Sequence, residues 1–511
     1  MTNNSTNNAR IAKNTLFLSF RTLLSLVVSL YTSRVVLAAL GVVDYGIYDV
    51  VGGVVMMFSF LSASMSTSTQ RYLTFELGRG DKSRLDTVFS TALNVHLLIG
   101  IAVVVLAETL GLWFLNTHMN IPPERMTAAN YVFQFSVLSF FVSVSQVPYN
   151  AVLVAHEDMS IYAYFGILDV LLKLGIALLL PGAPFDKLVF YGLAMMCAQV
   201  AMLTIYRTYC YKKYDECRFR LVKDKALYKE MGGFAGWNVF GSLAWLLRDQ
   251  GLNILLNIFI GPAINAARGI SVKVSQTINS FVGNFLVALN PQITKNYAEG
   301  NISEMELLAY RGLKFSCYIL LCLGLPIIIS IDYILGLWLV EVPAYSAIFV
   351  TLMLADSFVN NLTGPTIITS LMATGNIRRY QIVVSSVILM IVPASWALLK
   401  LGCGPASVFV ITIAFTALSG IVRFIFAVRQ VGYSWGRYFR SVLAPVLAVL
   451  AASLPAPLLV KRLLPAEENL MSFIIVSFVA ILCVLISSFY LGMTKKERTE
   501  VVKLVLKKLK R

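Results

Sequence analysis

Charged side chains stand inside long apolar stretches of this chain, and their types point to the binding of an anion. Arg21 and Arg34 lie in the first stretch. Arg248 and Asp249 lie near the middle of GWNVFGSLAWLLRDQGLNILLNIFIG, and Arg268 and Lys273 lie in the stretch after it. A guanidinium presents a planar fork of donors that fits phosphate oxygens two at a time. A charge at the centre of a bilayer costs about 2.5–3.5 kcal/mol on insertion scales, so four of these five cations facing lipid would already cost on the order of 10 kcal/mol. They are expected to face a wet, cationic interior, with snorkelling toward an interface as the alternative for Arg21, Arg34 and Arg268. Arg248 and Asp249 either neutralise each other or, pointing about 100° apart on a helix, reach separate partners. Asp356 is a lone acid in a later stretch, read either as the partner of a cation or as a coupling acid. Asp169 and Lys173, four apart, read as an ion pair, and Arg423 as a cation that snorkels to a nearby interface.

Polar residues around these charges recur at helical spacing, which places them on shared faces. The first stretch carries Asn14, Arg21, Ser25, Ser29 and Thr32. The seventh carries Asn238, Ser242, Trp245, Asp249 and Asn253. The eighth carries two stripes, Arg268-Ser271-Ser275-Asn279 and Lys273-Gln276-Ser280-Asn284. The tenth runs Asp356, Asn360, Thr363, Thr366, Ser370. Such a face lines a cavity or hydrogen-bonds a neighbouring helix. The plainer stripes Ser59-Ser62-Ser66-Thr69 and Ser139-Ser143-Gln146-Asn150 fit either use.

The elements that position these residues follow from composition. The chain has 511 residues, 58% of them hydrophobic and only 13% charged, with mean hydropathy +0.76. A soluble domain would carry about 25% charged residues. Roughly fourteen stretches reach the ~20 residues a bilayer crossing needs: 14–37, 44–69, 87–112, 128–153, 161–181, 187–208, 233–259, 264–291, 309–330, 345–372, 381–400, 406–429, 441–461 and 470–492. The net charge of +16 comes mostly from Lys and Arg between alternate stretches. By the positive-inside rule this puts both termini in the cytoplasm and makes nucleic acid an unneeded partner. The start MTNNSTNNARIAKN resembles a signal peptide, but Arg21 and Arg34 and the next span mark it as an uncleaved first helix. Seven cysteines form no disulfide framework or zinc spacing, and His96, His118 and His156 form no metal or nucleophile set. With no phosphate-binding glycine loop and no HExxH, neither an ATPase nor another enzyme is indicated, and no cofactor or metal.

The expected organisation is an N-terminal lobe over 1–208, a linker over 209–232 and a second lobe over 233–430. Two additional spans over 431–494 and a basic amphipathic tail over 495–511 follow. A shift of about 220 residues aligns Gly41 with Gly261, and the end of the second span with the end of the eighth, which suggests a parallel repeat. The fold class is an all-α polytopic membrane protein of about 14 transmembrane helices. Two six-helix lobes form a parallel pseudo-repeat around a central cavity, plus two extra C-terminal helices.

The opening RIAKNTLFLSFRTLLSLVVSLYTSRVVLAALGVVDYGIYDV, with its Gly41-Val-Val-Asp-Tyr-Gly46 turn and Thr69-Gln70-Arg71, resembles bacterial polysaccharide exporters. These are the O-antigen and lipid-linked-oligosaccharide flippases of the multidrug/oligosaccharidyl-lipid/polysaccharide (MOP) superfamily. The resemblance implies two lobes around a cavity lined by the first, second, seventh and eighth helices, and a home in the bacterial inner membrane. It implies a lipid-linked oligosaccharide as cargo, membrane lipids as partners, and polysaccharide polymerase and export machinery nearby. It carries a substrate-binding role to Arg21, Arg34 and Arg268. The alternatives are a drug/cation antiporter of the same superfamily and a membrane polysaccharide polymerase or ligase.

Overall fold

Gly41 decides where the first helix stops. The computed structural model describes residues 2–56, 59–119, 121–218, 224–339, 342–464 and 469–509. In it, Thr2–Met56 is hydrogen-bonded as one helix but breaks at Gly41, with φ 78° and ψ 169°. That backbone region is essentially closed to residues with a Cβ. Gly261 takes the same region, φ 114° and ψ 177°, between the helices Lys225–Ile260 and Pro262–Ala298. Pro262 then opens its helix where its missing N–H costs nothing. A second matched pair follows each of these. Gly80 (φ 74°) precedes Asp81, the N-cap of Lys82–Leu106, and Gly300 (φ 77°) precedes Asn301, the N-cap of Ile302–Ile329. Both pairs lie about 220 residues apart.

The described residues are helical almost throughout, with no strand. Among the described residues, eleven helical segments are long and apolar enough to cross a membrane. Of the other expected spans, 233–259 and 264–291 are helical but too polar to qualify by composition, and 44–69 includes residues 57 and 58, which lie outside the described residues. The first two extend to 36 and 37 residues, as Lys225–Ile260 and Pro262–Ala298, about 54 Å each. Both carry charged polar stripes, and the stripes are what lower their hydropathy. Pro148, Pro291 and Pro326 lie inside continuing helices.

The chain divides into two compact units, one from Asn14 to Ser242 and one made of the residues before Asn14 together with Leu243 onward. In the first, Met126–Ala155 is the central helix, packed by Ser59–Arg79, Lys82–Leu106 and Lys187–Lys213. Val132, Phe133, Val137 and Leu188 form its core. The described end of the linker belongs to this unit: Asn94 Nδ2 donates to the Tyr228 hydroxyl at 2.7 Å. In the second unit, Pro262–Ala298 packs on Ile302–Ile329 and on Ser346–Thr363, around Ile278, Val282, Leu320 and Leu354. The last two spans, Trp435–Leu463 and Leu470–Gly492, lie against Ile302–Ile329. Linker residues 219–223 and the side chains at 503–511, which carry the expected faces of the tail, lie outside the described residues.

Candidate functional site

The charges of the seventh, eighth and tenth spans meet inside the second unit. Arg268 forms an ion pair with Asp249 and also donates to the Asp249 carbonyl oxygen at 3.0 Å. Asp249 thus makes its contact ion pair with Arg268 and acts on Arg248 only as a nearby charge. The Arg248 guanidinium lies 4.2 Å over the Trp245 ring, and the residue is 9% exposed. Its Nε and Nη1 have no hydrogen-bond partner among the described residues. Asp356 acts on it electrostatically, without an ion pair within contact distance among the described residues. The Asp356 carboxylate also receives the Thr416 hydroxyl, while its Oδ1 is buried without a partner. A buried guanidinium with free donors beside an aromatic face is equipped to take an anionic or carbonyl-bearing group.

The two stripes of Pro262–Ala298 separate. Ser271 and Ser275 are buried against Ser346–Thr363, where Ser275 and Ser357 hydroxyls meet at 3.0 Å and Asn279 Nδ2 donates to Ser357 Oγ at 2.9 Å. Lys273 and Gln276, on the neighbouring stripe, are exposed. Adjacent stripes thus do different work: one joins helices, while the other is open at Lys273 and Gln276 and buried at Asn284.

Arg423 and the tenth span depart from expectation. Arg423 does not snorkel; it is 1% exposed, and its Nη1 donates to Asn360 Oδ1 at 3.4 Å. The reason lies in Gly364 and Pro365. They end Ser346–Thr363 and start Pro365–Ala373, so the stripe from Asp356 to Ser370 is not one helix face. The end of a helix carries unsatisfied carbonyls and partial negative charge, which a cation stabilises. Glycine is needed at the break itself, since a Cβ at Gly364 would stand 2.4 Å from the Asn360 carbonyl oxygen, and it also leaves room for Arg423 Nη1, 3.1 Å away. Beyond the break, Thr366 donates to the Ala309 carbonyl and Ser370 bonds the Tyr433 hydroxyl, so both serve packing.

In the first unit, Arg21 stacks over the Tyr162 ring at 4.9 Å. Its Cδ lies where a Cβ at Gly166 would be, 2.6 Å away, so the arginine rests on Met159–Leu179. Ser25 is half-buried, and Ser29 and Arg34 are exposed. Asn238 is buried, and Ser242 meets the Ser64 hydroxyl at 2.9 Å. Gln146 accepts from Gln199 at 3.1 Å, which assigns that stripe member to helix pairing. Asp169 and Lys173 form the expected ion pair, 2.7 Å.

Several charge clusters had not been anticipated. Arg125 clamps Asp44 and Asp186, and Asp186, capping Lys187–Lys213, is held below the ordinary carboxylate pKa by the Arg125 hydrogen bond. Asp158 binds Lys213 and the Tyr209 and Tyr214 hydroxyls. Burial would raise its pKa, but those donors outweigh it and the value is lowered. Glu306 holds Arg437 at 2.6 Å. Glu497 of the tail holds Lys314 at 2.8 Å and Arg311 at 3.2 Å. One of these carried a readable signal: Thr494-Lys-Lys-Glu497 is a capping-box pattern. Among the described residues no cluster is fit to hold a metal.

Residues 11–179 match the MatE family model, which covers less than half of the chain. No curated protein matches it. Solved structures match over 83% of this chain. One is a MATE transporter in the straight conformation, 13% identical over 96% of its own length, with a TM-score of 0.72. The chain has the fold of the MATE transporters. A multidrug resistance MATE family transporter of the MOP superfamily, in its outward-facing conformation, shares that fold at 13% identity and a TM-score of 0.70, covered over 97% of its length. So does a MOP superfamily transporter from Pyrococcus furiosus, 14% identical, TM-score 0.70, covered over 96%; its description reports a binding pocket of reverse polarity that suggests a different function. The MATE fold is in keeping with the all-helical membrane architecture expected of the MOP superfamily.

Proposed function

We propose that this chain is a transporter that exports an organic solute by alternating access, as a MATE-type antiporter. The observation that carries this reading is the MATE fold across 83% of the chain, together with the MatE match in its first 179 residues. Of the two cargo classes raised by the sequence, drug or cation export is the better supported. The structural neighbour whose description names a role is a multidrug resistance transporter, and none of the three neighbours described above is linked to a glycan. The pairing of Arg268 with Asp249 favours it too, because it removes one cation from the surplus that pointed to an anion. In this reading Asp356 is the candidate coupling acid.

A second reading, flipping of a lipid-linked oligosaccharide through its pyrophosphate, is kept on one observation: the buried Arg248 guanidinium with two partnerless nitrogens. Purified protein in liposomes separates the two. Under the first, an imposed proton or sodium gradient drives a fluorescent organic cation, and Asp356→Asn stops it while Arg248→Gln does not. Under the second, the dye is not moved, and a fluorescent lipid-linked oligosaccharide changes leaflet only while Arg248 is present. Failure to move either cargo under any gradient refutes the transporter reading.

A further inference from the structure

Three helices of the Asn14–Ser242 unit turn side chains one helical turn apart into a cavity of about 510 Å³. Ser145 and Tyr149 come from Met126–Ala155, and Leu203, Arg207 and Tyr211 from Lys187–Lys213. The two helices run parallel, since Gln146 meets Gln199 and the Tyr149 carbonyl meets the Cys210 thiol. The third, Lys82–Leu106, is antiparallel to them: Phe89 packs on Tyr149, and Leu97 lies farther along. This registry polarises the cavity. Leu97 and Leu203 form one end; Tyr149, Arg207, Tyr211 and the loop residue Arg218 form the other, one to two turns (about 5–11 Å) away.

The charge at that end is available. Arg218 has Asp215 at 3.4 Å, but Asp215 is 97% exposed and such a pair is weak. The neighbouring Glu216 is turned away to His156. The apolar end continues onto exposed hydrophobic surface of the same helices, at Leu98, Ile101 and Val200. An inorganic phosphate would leave most of this volume empty, whereas an amphiphile fills both ends. We propose that this cavity is a binding site for an anionic phospholipid, its phosphate held by Arg207 and Arg218 and one acyl chain leaving past Leu97 and Leu203. The basic end lies where cytoplasmic Lys and Arg are expected to meet the inner leaflet, whose anionic lipids favour such cations.

The test uses full-length protein, freed of lipid in detergent, with retention of added lipids read by native mass spectrometry. Wild type should keep phosphatidylglycerol about tenfold better than phosphatidylcholine, and the Arg207→Gln/Arg218→Gln variant should lose that preference, as expected for loss of charge-assisted hydrogen bonds. Arg379→Gln, an exposed arginine of the other unit, should change nothing. Leu203→Trp, which fills the apolar end and leaves both arginines, should weaken both lipids alike. An unchanged melting temperature of the lipid-free variants shows that the fold is retained. Equal retention of the two lipids by wild type overturns the proposal, as does an unaffected double variant. Complete displacement of phosphatidylglycerol by millimolar inorganic phosphate would also overturn it, because the site would then take the anion alone.

Discussion

Neutralising Glu497 should release the C-terminal helix. Its carboxylate is 5% exposed and accepts from Lys314, itself 3% exposed. It also accepts from the Thr494 amide at 2.8 Å, while the Glu497 amide donates back to Thr494 Oγ1 at 3.4 Å. In Glu497→Gln the Lys314 ammonium stays buried without a counterion in the docked state, and regains water only when the tail lifts. Breaking one side of a buried pair costs about 3–5 kcal/mol. At about 1.4 kcal/mol per factor of ten, the opening equilibrium should rise by roughly two to three and a half orders of magnitude. Hydrogen exchange of the amides at 495–502 reads this directly. The companion variant Arg311→Leu/Lys314→Met/Glu497→Leu removes all three charges of the cluster and should exchange within about tenfold of wild type, since apolar replacement of a buried ionic cluster is often neutral. Exchange in Glu497→Gln as slow as in wild type would refute the reasoning. The same contact has a pH signature. Burial alone would raise the Glu497 pKa, but the Lys314 charge and the hydrogen bonds of Lys314 and Thr494 outweigh it, and the value is lowered. A lowered folded pKa means that the stabilisation is present above the ordinary carboxylate value of about 4.3 and is lost as pH falls through the folded value. Docking should thus loosen only in acid, and Glu497→Gln should show no such transition.

Gly41→Ala and Gly261→Ala should each cost about 1–3 kcal/mol, because both positions need a backbone region that a Cβ closes; a lower melting temperature in detergent is the readout, and two unchanged values would contradict the backbone assignment. Gly420→Ala places a Cβ 2.2 Å from Thr363 Oγ1 and should destabilise by about 1–3 kcal/mol; adding Thr363→Ala should restore most of it. Asp249→Asn leaves Arg268 without its counterion, and because Asp249 is 38% exposed at its side chain, solvent screening holds the loss to about 1–3 kcal/mol. Adding Arg268→Gln should recover the yield of monodisperse protein, and a double variant worse than the single would count against the pair. A reporter fused at Asp215 should read cytoplasmic, as the basic loops require.

Helical class, membrane character and the approximate span count were legible in the residues, because a bilayer demands long apolar segments whatever their partners. The correspondence of Gly41 with Gly261 was legible too, because it is a backbone requirement that acts locally; that of Gly80 with Gly300 emerged from the backbone angles. Asp169 with Lys173 was readable because four-residue spacing alone brings them together. Partner choice between distant charges was not. Whether Asp249 answers Arg248 or Arg268 depends on which helix faces which, and the answer lies across 19 residues and a helix break. Arg423 looked like a snorkelling cation because sequence position gives its depth along the helix and not the cap waiting beside it. Only packing sets Ala406–Val431 against the break at Gly364, where the Asn360 side-chain oxygen takes the place of water. Glu497 and Lys314, separated by 183 residues, show the same limit. Local stereochemistry and solvent fix the elements from the sequence alone, whereas the fate of a buried charge is decided by the neighbour that tertiary packing delivers.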